Sequence, residues 1–211
     1  MGNVDGKAVE KHQDTVPHIS LTMGRELLGE FFPILQKGFG VEATVPCTIK
    51  NLLCDQFGFS QLYVSERITT IFLNGKATDS IEEPIVNEQS TIALSAAMPG
   101  VVGATMRRGS YYASMRSAIT CTDKEKTGAC MEGMIKVKLF NLLLIELGPE
   151  FFKKGVIVTS SDLSDLLFKK SDKLQQCKEV LIGGKPVAWI SLKQSDIFAD
   201  YEYIKLFIVL T

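Results

Sequence analysis

TTIFLNGKATDSIEEPIVNEQSTIALSAAMPGVVGATMRRG, residues Thr69 to Gly109, holds two strand patterns, a tight turn and the only segment of the chain rich in both glycine and arginine. Thr70 to Leu73 is a β-branched and aromatic run. It ends at Asn74-Gly75, the pair that most readily supplies the two positive φ angles of a type I′ hairpin turn. A second run, Thr91 to Ser95, alternates in the same way and leads into Met98-Pro99-Gly100-Val101-Val102-Gly103. This exit from strand to glycine loop is where a functional site is expected.

Upstream, residues 1–17 are polar, glycine-containing and without period, which predicts a mobile tail in which His12 is a solvated side chain. From His18 to Met23 the residues Ile19, Leu21 and Met23 alternate with polar ones as a half-buried strand requires, with His18 at its edge. Arg25 to Gln36 has helical spacing, and Pro33 limits it to a short or broken turn. Phe39 to Val45 is a second strand. Thr48 then caps a helix that buries Ile49, Leu52, Leu53 and Phe57, and Gly58 stops it. Beyond Gly109, Ser110 to Thr120 fits an extended segment or an amphipathic helix. The charged, glycine-bearing residues 122–133 then join the first half of the chain to the second.

The second half repeats the order of the first. Met134 to Phe140 matches the opening strand, Leu147-Gly148-Pro149-Glu150-Phe151-Phe152 echoes Leu28-Gly29-Glu30-Phe31-Phe32, and Val156 to Thr159 echoes Val41 to Val45. Ser160 or Ser161 caps a helix from Asp162 to Leu167. Val180-Leu181-Ile182-Gly183-Gly184-Lys185 stands where Ile71 to Lys76 stood, and Tyr203 to Val209 takes the place of Thr91 to Ser95.

Given this order, with Ile135-Lys136-Val137-Lys138-Leu139-Phe140 and the Arg25-Glu26-Leu27-Leu28-Gly29 turn in particular, the chain resembles the β-grasp sulfur-carrier proteins of molybdopterin and thiamine synthesis over about Ile19 to Gly100 and Met134 to Leu210. The resemblance implies an α+β chain of two β-grasp-like (ubiquitin-like) units in tandem, each a mixed sheet packed on a helix. The first unit then spans 18–109, a connecting segment 110–133 and the second unit 134–211. In that family a C-terminal Gly-Gly carboxylate is adenylated and converted to a thiocarboxylate. Here the first copy runs on past Gly100 and Gly103, and the second ends in Val209-Leu210-Thr211 without glycine, so the carrier chemistry requires cleavage after Gly100 or Gly103.

Composition narrows the function classes. Lys and Arg number 23 against 24 Asp and Glu, for a net charge of −1, so no overall basic excess draws the chain to nucleic acid. The longest apolar runs, Leu142 to Ile145 and Leu206 to Leu210, fall far short of the roughly 20 residues that span a bilayer. The start has no signal-peptide core, and Gly6 stands where a myristoylation signal needs Ser or Thr, which predicts a cytoplasmic protein. Five cysteines without a CxxC pair read as free thiols.

The candidate site is Gly100, Gly103, Arg107, Arg108 and Gly109, extended by Arg116. Glycines let backbone N–H groups approach an anion, and arginines bind carboxylate or phosphate through paired donors. The order is neither a nucleotide P-loop nor GxGxxG. Three readings stay open: a corner between units with solvated arginines, an anion or ligand site, and a processed carrier tail. Tyr111 and Tyr112 read as core next to alternating small residues. With both histidines near the N-terminus no catalytic triad assembles, and no metal set or cofactor is expected. The expected function is a non-catalytic ubiquitin-like binding or adaptor protein that contacts a protein partner or small anionic ligand through the Gly/Arg loop and pairs into a homodimer by its sheet edges. The alternatives are a sulfur-carrier-like protein and an enzyme with an unrecognised site.

Overall fold

The computed structural model describes residues 16–121, 128–192 and 198–211. Most of the expected tail, with His12, and residues 122–127 of the connecting segment lie outside the described residues. The fold is mixed α and β, built on one large mixed sheet.

Strand β1 (His18–Met23) buries Ile19, Leu21 and Met23, as its alternation dictates. A 3₁₀ helix, Arg25–Phe31, runs directly into α1 (Phe32–Lys37). Pro33, expected to break this segment, lies in the first turn of α1, where its missing N–H forfeits no helical bond. After β2 (Phe39–Val45) and β3 (Cys47–Thr48) comes a π-helical turn, Asn51–Gln56, for which Thr48 Oγ1 accepts from the Asn51 N–H at 3.1 Å. Helix α2 (Gln61–Glu66), capped by Ser60, has no counterpart in the sequence reading. Strands β4 (Thr70–Leu73) and β5 (Lys76–Thr78) form the expected hairpin, with φ of 51° at Asn74 and 79° at Gly75.

Next come β6 (Ile85–Val86), β7 (Thr91–Ser95), α3 (Gly100–Met106) and a 3₁₀ segment, Tyr111–Ile119. Strand β8 (Met131–Phe140) begins inside the expected connecting segment, because β2 is long enough to pair with it back to Met131. Then come α4 (Leu142–Lys154), β9 (Val156–Thr159) and α5 (Ser160–Lys169). The cap of α5 is Thr159, one residue earlier than expected, its Oγ1 accepting from the Asp162 N–H at 3.2 Å. The chain closes with α6 (Ser171–Leu174), the β10 (Glu179–Ile182) and β11 (Lys185–Pro186) hairpin, α7 (Trp189–Leu192) and β12 (Tyr203–Leu210).

Ten strands form one sheet in the order β11-β10-β1-β12-β9-β2-β8-β7-β4-β5, and β3 pairs with β6 apart from it. The segments 18–109 and 134–211 interleave. Strand β1 lies between β10 and β12, antiparallel to the first and parallel to the second. Strand β8 lies between β2 and β7, again antiparallel and parallel. Each half therefore lends its first strand to strands of the other. The groups β9-β12-β1-β10-β11 and β2-β8-β7-β4-β5 repeat the same series of pairing senses. Their middle strands stand in opposite order: a first strand, β8, adjoins β2, whereas a last strand, β12, adjoins β9.

The two groups meet at β2 and β9, paired only at Gly40 and Ile157. Helices hold the join. Helix α4 packs on β12, β8 and β7, and α1 packs on β8 and α4. Phe39 and Phe57 of the first half both meet Phe151 of α4, at ring separations of 5.1 and 5.3 Å, and Phe31 meets Phe152 at 6.1 Å. The buried side chains form one continuous cluster across both halves. At the outer edges of the sheet, β11 is two residues long and ends in Pro186, and Thr120 bridges to Ala77 along β5. His18 opens β1, at the strand's edge as expected, and its ring meets Phe207 edge-on.

Leu21 is fully buried between β10 and β12, so Leu21→Ala should cost about 2–5 kcal/mol and lower a single unfolding transition seen by probes in both halves; two separate transitions contradict the shared core. Between α4 and α2, Glu146 accepts from Arg67 and from the Tyr63 hydroxyl, and these bonds hold its carboxyl below the usual range. A depressed carboxyl stabilises the fold above its unfolded pKa, and that contribution is lost as pH falls through the folded value. Glu146→Gln should flatten the acid limb of a stability-against-pH profile, and an unaltered limb contradicts this.

Candidate functional site

Strand β7 leaves the sheet through a clamp. The Asn141 side-chain amide donates to Ser95 Oγ at 2.9 Å and to the Ala97 carbonyl, and Thr69 Oγ1 donates to the Ala96 carbonyl. Asn141 holds φ 56° and ψ −134°, a backbone region that glycine adopts far more readily, and the clamp overrides that preference. Beside it lies a hollow of about 370 Å³, lined mainly by Phe72, Ala93, Met98, Pro99, Phe140 and Asn141.

The sequence reads Pro99 to Gly109 as a loop, but Gly100 to Met106 is helix α3. Pro99 stands extended ahead of it, Gly100 turns the chain with φ 74°, and the Thr105 hydroxyl donates to the Val101 carbonyl at 2.9 Å. Gly103 is buried so closely against the Met98 carbonyl that a Cβ would overlap it, so only glycine fits there. The helix ends at Arg107, which is exposed and has no ion-pair partner among the described residues.

The other donors turn inward. Arg108 bonds through its backbone N–H to the Thr69 carbonyl at 2.9 Å and through Nη2 to the Val64 carbonyl at 2.7 Å. Burial pushes its pKa down, partly offset by Asp79. Gly109, at φ 62°, donates its N–H to Asp79 Oδ1 at 2.9 Å. Arg116 sits at the kink of the 3₁₀ segment and is only 3% exposed. It donates to the Thr105 carbonyl (2.8 Å), Thr120 Oγ1 (3.1 Å) and Asp79 Oδ1 (2.6 Å). Two of these donors, the Gly109 N–H and Arg116, thus meet on an anion that belongs to the chain itself, the Asp79 carboxylate, while Arg108 is spent on backbone carbonyls. The sequence reading gives no role to Asp79, Thr105, Thr120 or Asn141, although Asp79 lies within its opening stretch, just past the hairpin.

What this pinned segment offers outward is apolar. Val101 is 85% exposed and Tyr111 91%, and Val102, Tyr112 and Met115 are exposed too. This corrects the expectation of core tyrosines. The Tyr111 and Tyr112 rings stand edge to face at 5.3 Å, outside the cluster that the Phe residues fill. Helix α3 and the 3₁₀ segment, which carry these apolar groups, pack on each other, and Arg107 is exposed at the end of α3. Among the described residues no three His, Cys, Asp or Glu side chains are arranged to hold a metal ion, and all five cysteines are free thiols.

No protein-family model, curated protein or solved structure matches the chain. No helix among the described residues is long and apolar enough to cross a membrane.

Removing either member of a buried ion pair leaves its partner uncompensated, at a cost of roughly 3–5 kcal/mol where both are buried. Asp79 is partly exposed, so Arg116→Met and Asp79→Ala should each cost about 2–3 kcal/mol. The double variant should cost clearly less than their sum in urea unfolding. Additive losses contradict the assignment of Asp79 as the anion these donors hold.

Proposed function

We propose that this chain is a non-catalytic binding or adaptor module of two β-grasp-like units that have exchanged first strands. It docks a protein partner through α3 and the adjoining 3₁₀ segment. The observation that carries the reading is the exposure of Val101, Val102, Tyr111, Tyr112 and Met115 on a segment pinned to the body by Arg108, Arg116 and Asp79. Exposed aromatic and aliphatic groups on a rigid support are the composition of binding hot spots, and a solvated monomer surface has little use for them clustered. Arg107, exposed at the end of α3, favours a partner that brings a carboxylate beside an apolar face, and the hollow next to Met98 and Pro99 is of a size to take one apolar anchor.

The repeated element order and the repeated pairing senses support the two-unit reading, and the reversed middle strands are its departure from a simple tandem. The sulfur-carrier alternative requires cleavage after Gly100 or Gly103. Both lie within α3, and Gly103 is buried, so a protease has to unfold the helix first. No observation favours that route.

A photoreactive benzoylphenylalanine at Tyr111 should give one discrete cross-linked adduct in cells that produce the protein. Arg107→Glu should remove it, and the same probe at Lys185 on the far sheet edge should give none. An adduct insensitive to Arg107→Glu, or an equal one from Lys185, contradicts the reading. So does an intact mass ending at Gly100 or Gly103.

A further inference from the structure

Val101, Val102, Tyr111, Tyr112 and Met115 are 85, 61, 91, 49 and 76% exposed. Scaled by the area of a whole side chain, these fractions amount to roughly 700 Å² of largely apolar surface on two elements that pack on each other. The largest apolar patch on an ordinary monomer is roughly 300–600 Å². Each partner of a standard protein interface buries roughly 800 Å², so this surface is of a size to be covered by one protein face.

A surface that mates with its own copy must carry both halves of each contact. The hole is the hollow of about 370 Å³ lined by Phe72, Ala93, Met98, Pro99 and Phe140, where the chain enters α3. The knob is Tyr111, the most exposed large apolar side chain among the described residues. The charges agree. Arg108 and Arg116 turn inward, which leaves Arg107 as the exposed cation of α3 and the 3₁₀ segment. Two residues beyond it, the Gly109 N–H and then Arg116 fill Asp79 Oδ1, whereas Asp79 Oδ2 has no hydrogen-bond partner among the described residues and its side chain is 39% exposed. Each copy thus brings one cation and one open carboxylate oxygen.

We infer that the partner docked by this surface is a second copy of the chain, related by a two-fold axis, with Tyr111 of each copy in the hollow of the other and Arg107 of each at the other's Asp79. The inference rests on the docking reading of the same surface and names its occupant. Sedimentation equilibrium of the purified full chain, with nothing added, tests it. A dimer with a dissociation constant of about 10 µM or tighter is expected. Tyr111→Glu and Arg107→Glu, both at exposed positions, should each weaken it about tenfold or more, whereas Lys185→Glu on the β11 edge leaves it unchanged. Benzoylphenylalanine at Tyr111, photolysed in an equal mixture of ¹⁵N-labelled and unlabelled chain, should give a heavy–light adduct attached to a residue of the hollow. The inference is overturned by a chain that stays monomeric at about 100 µM, by Lys185→Glu weakening the dimer as much as Tyr111→Glu does, or by an adduct outside the hollow. A monomeric chain whose Tyr111 probe still captures a different protein in cells overturns self-association and leaves the docking reading standing. A monomeric chain with no adduct in cells removes both.

Discussion

The hydrogen bonds that β1 makes to β10 and β12, and those that β8 makes to β2 and β7, are the constraint on which the architecture depends. An interior strand must satisfy both its edges. Without β1 the amides of β10 and β12 lose a shared neighbour, and the residues that supply it lie at the opposite end of the chain. Neither half can close its sheet from its own strands in this arrangement. The entropy of joining such distant segments is offset by a single apolar cluster to which both contribute, including Phe39 and Phe57, which each meet Phe151.

The same constraint explains the join at β2 and β9. With their other edges committed to β8 and β12, these two strands meet at one pair and then diverge. On the side of β2 away from β8 the backbone of Thr44 still needs partners. The Gln56 side-chain amide supplies both: its Oε1 accepts from the Thr44 N–H at 2.8 Å, and its Nε2 donates to the Thr44 carbonyl at 2.9 Å. The π-helical turn that carries Gln56 thus stands in for a strand. Glycines at 38 and 40 let Lys136 and Met134 lie close over β2 at the join.

Local features were legible in the sequence wherever one residue's conformation decides the outcome. The Asn74-Gly75 turn, the Thr48 cap, the Gly58 stop and the alternating strands at 18–23 and 203–210 all appear as their patterns require. The interleaving of the strands was not legible, because β1 and β8 present the same alternation whichever neighbours they take. Of the Gly/Arg residues, the partner of Gly109 and Arg116 was not legible: Asp79 reaches them across 30 and 37 residues, through tertiary folding alone. Tyr111 and Tyr112 misled because aromatic residues beside small ones read as core, and only packing reveals that both are exposed. Pro33 was legible as the residue that breaks its segment: a 3₁₀ helix ends just before it and a short α-helix begins, with the proline well placed in the first turn.

Strand exchange is most directly tested by nuclear Overhauser contacts in the uniformly labelled chain, read from the amides of β1. The account requires contacts from Ser20 and Thr22 to Phe207 and Val209 on one side and to Leu181 and Glu179 on the other. Contacts from β1 to β7 or β2 instead, as two separately closed units would give, contradict it.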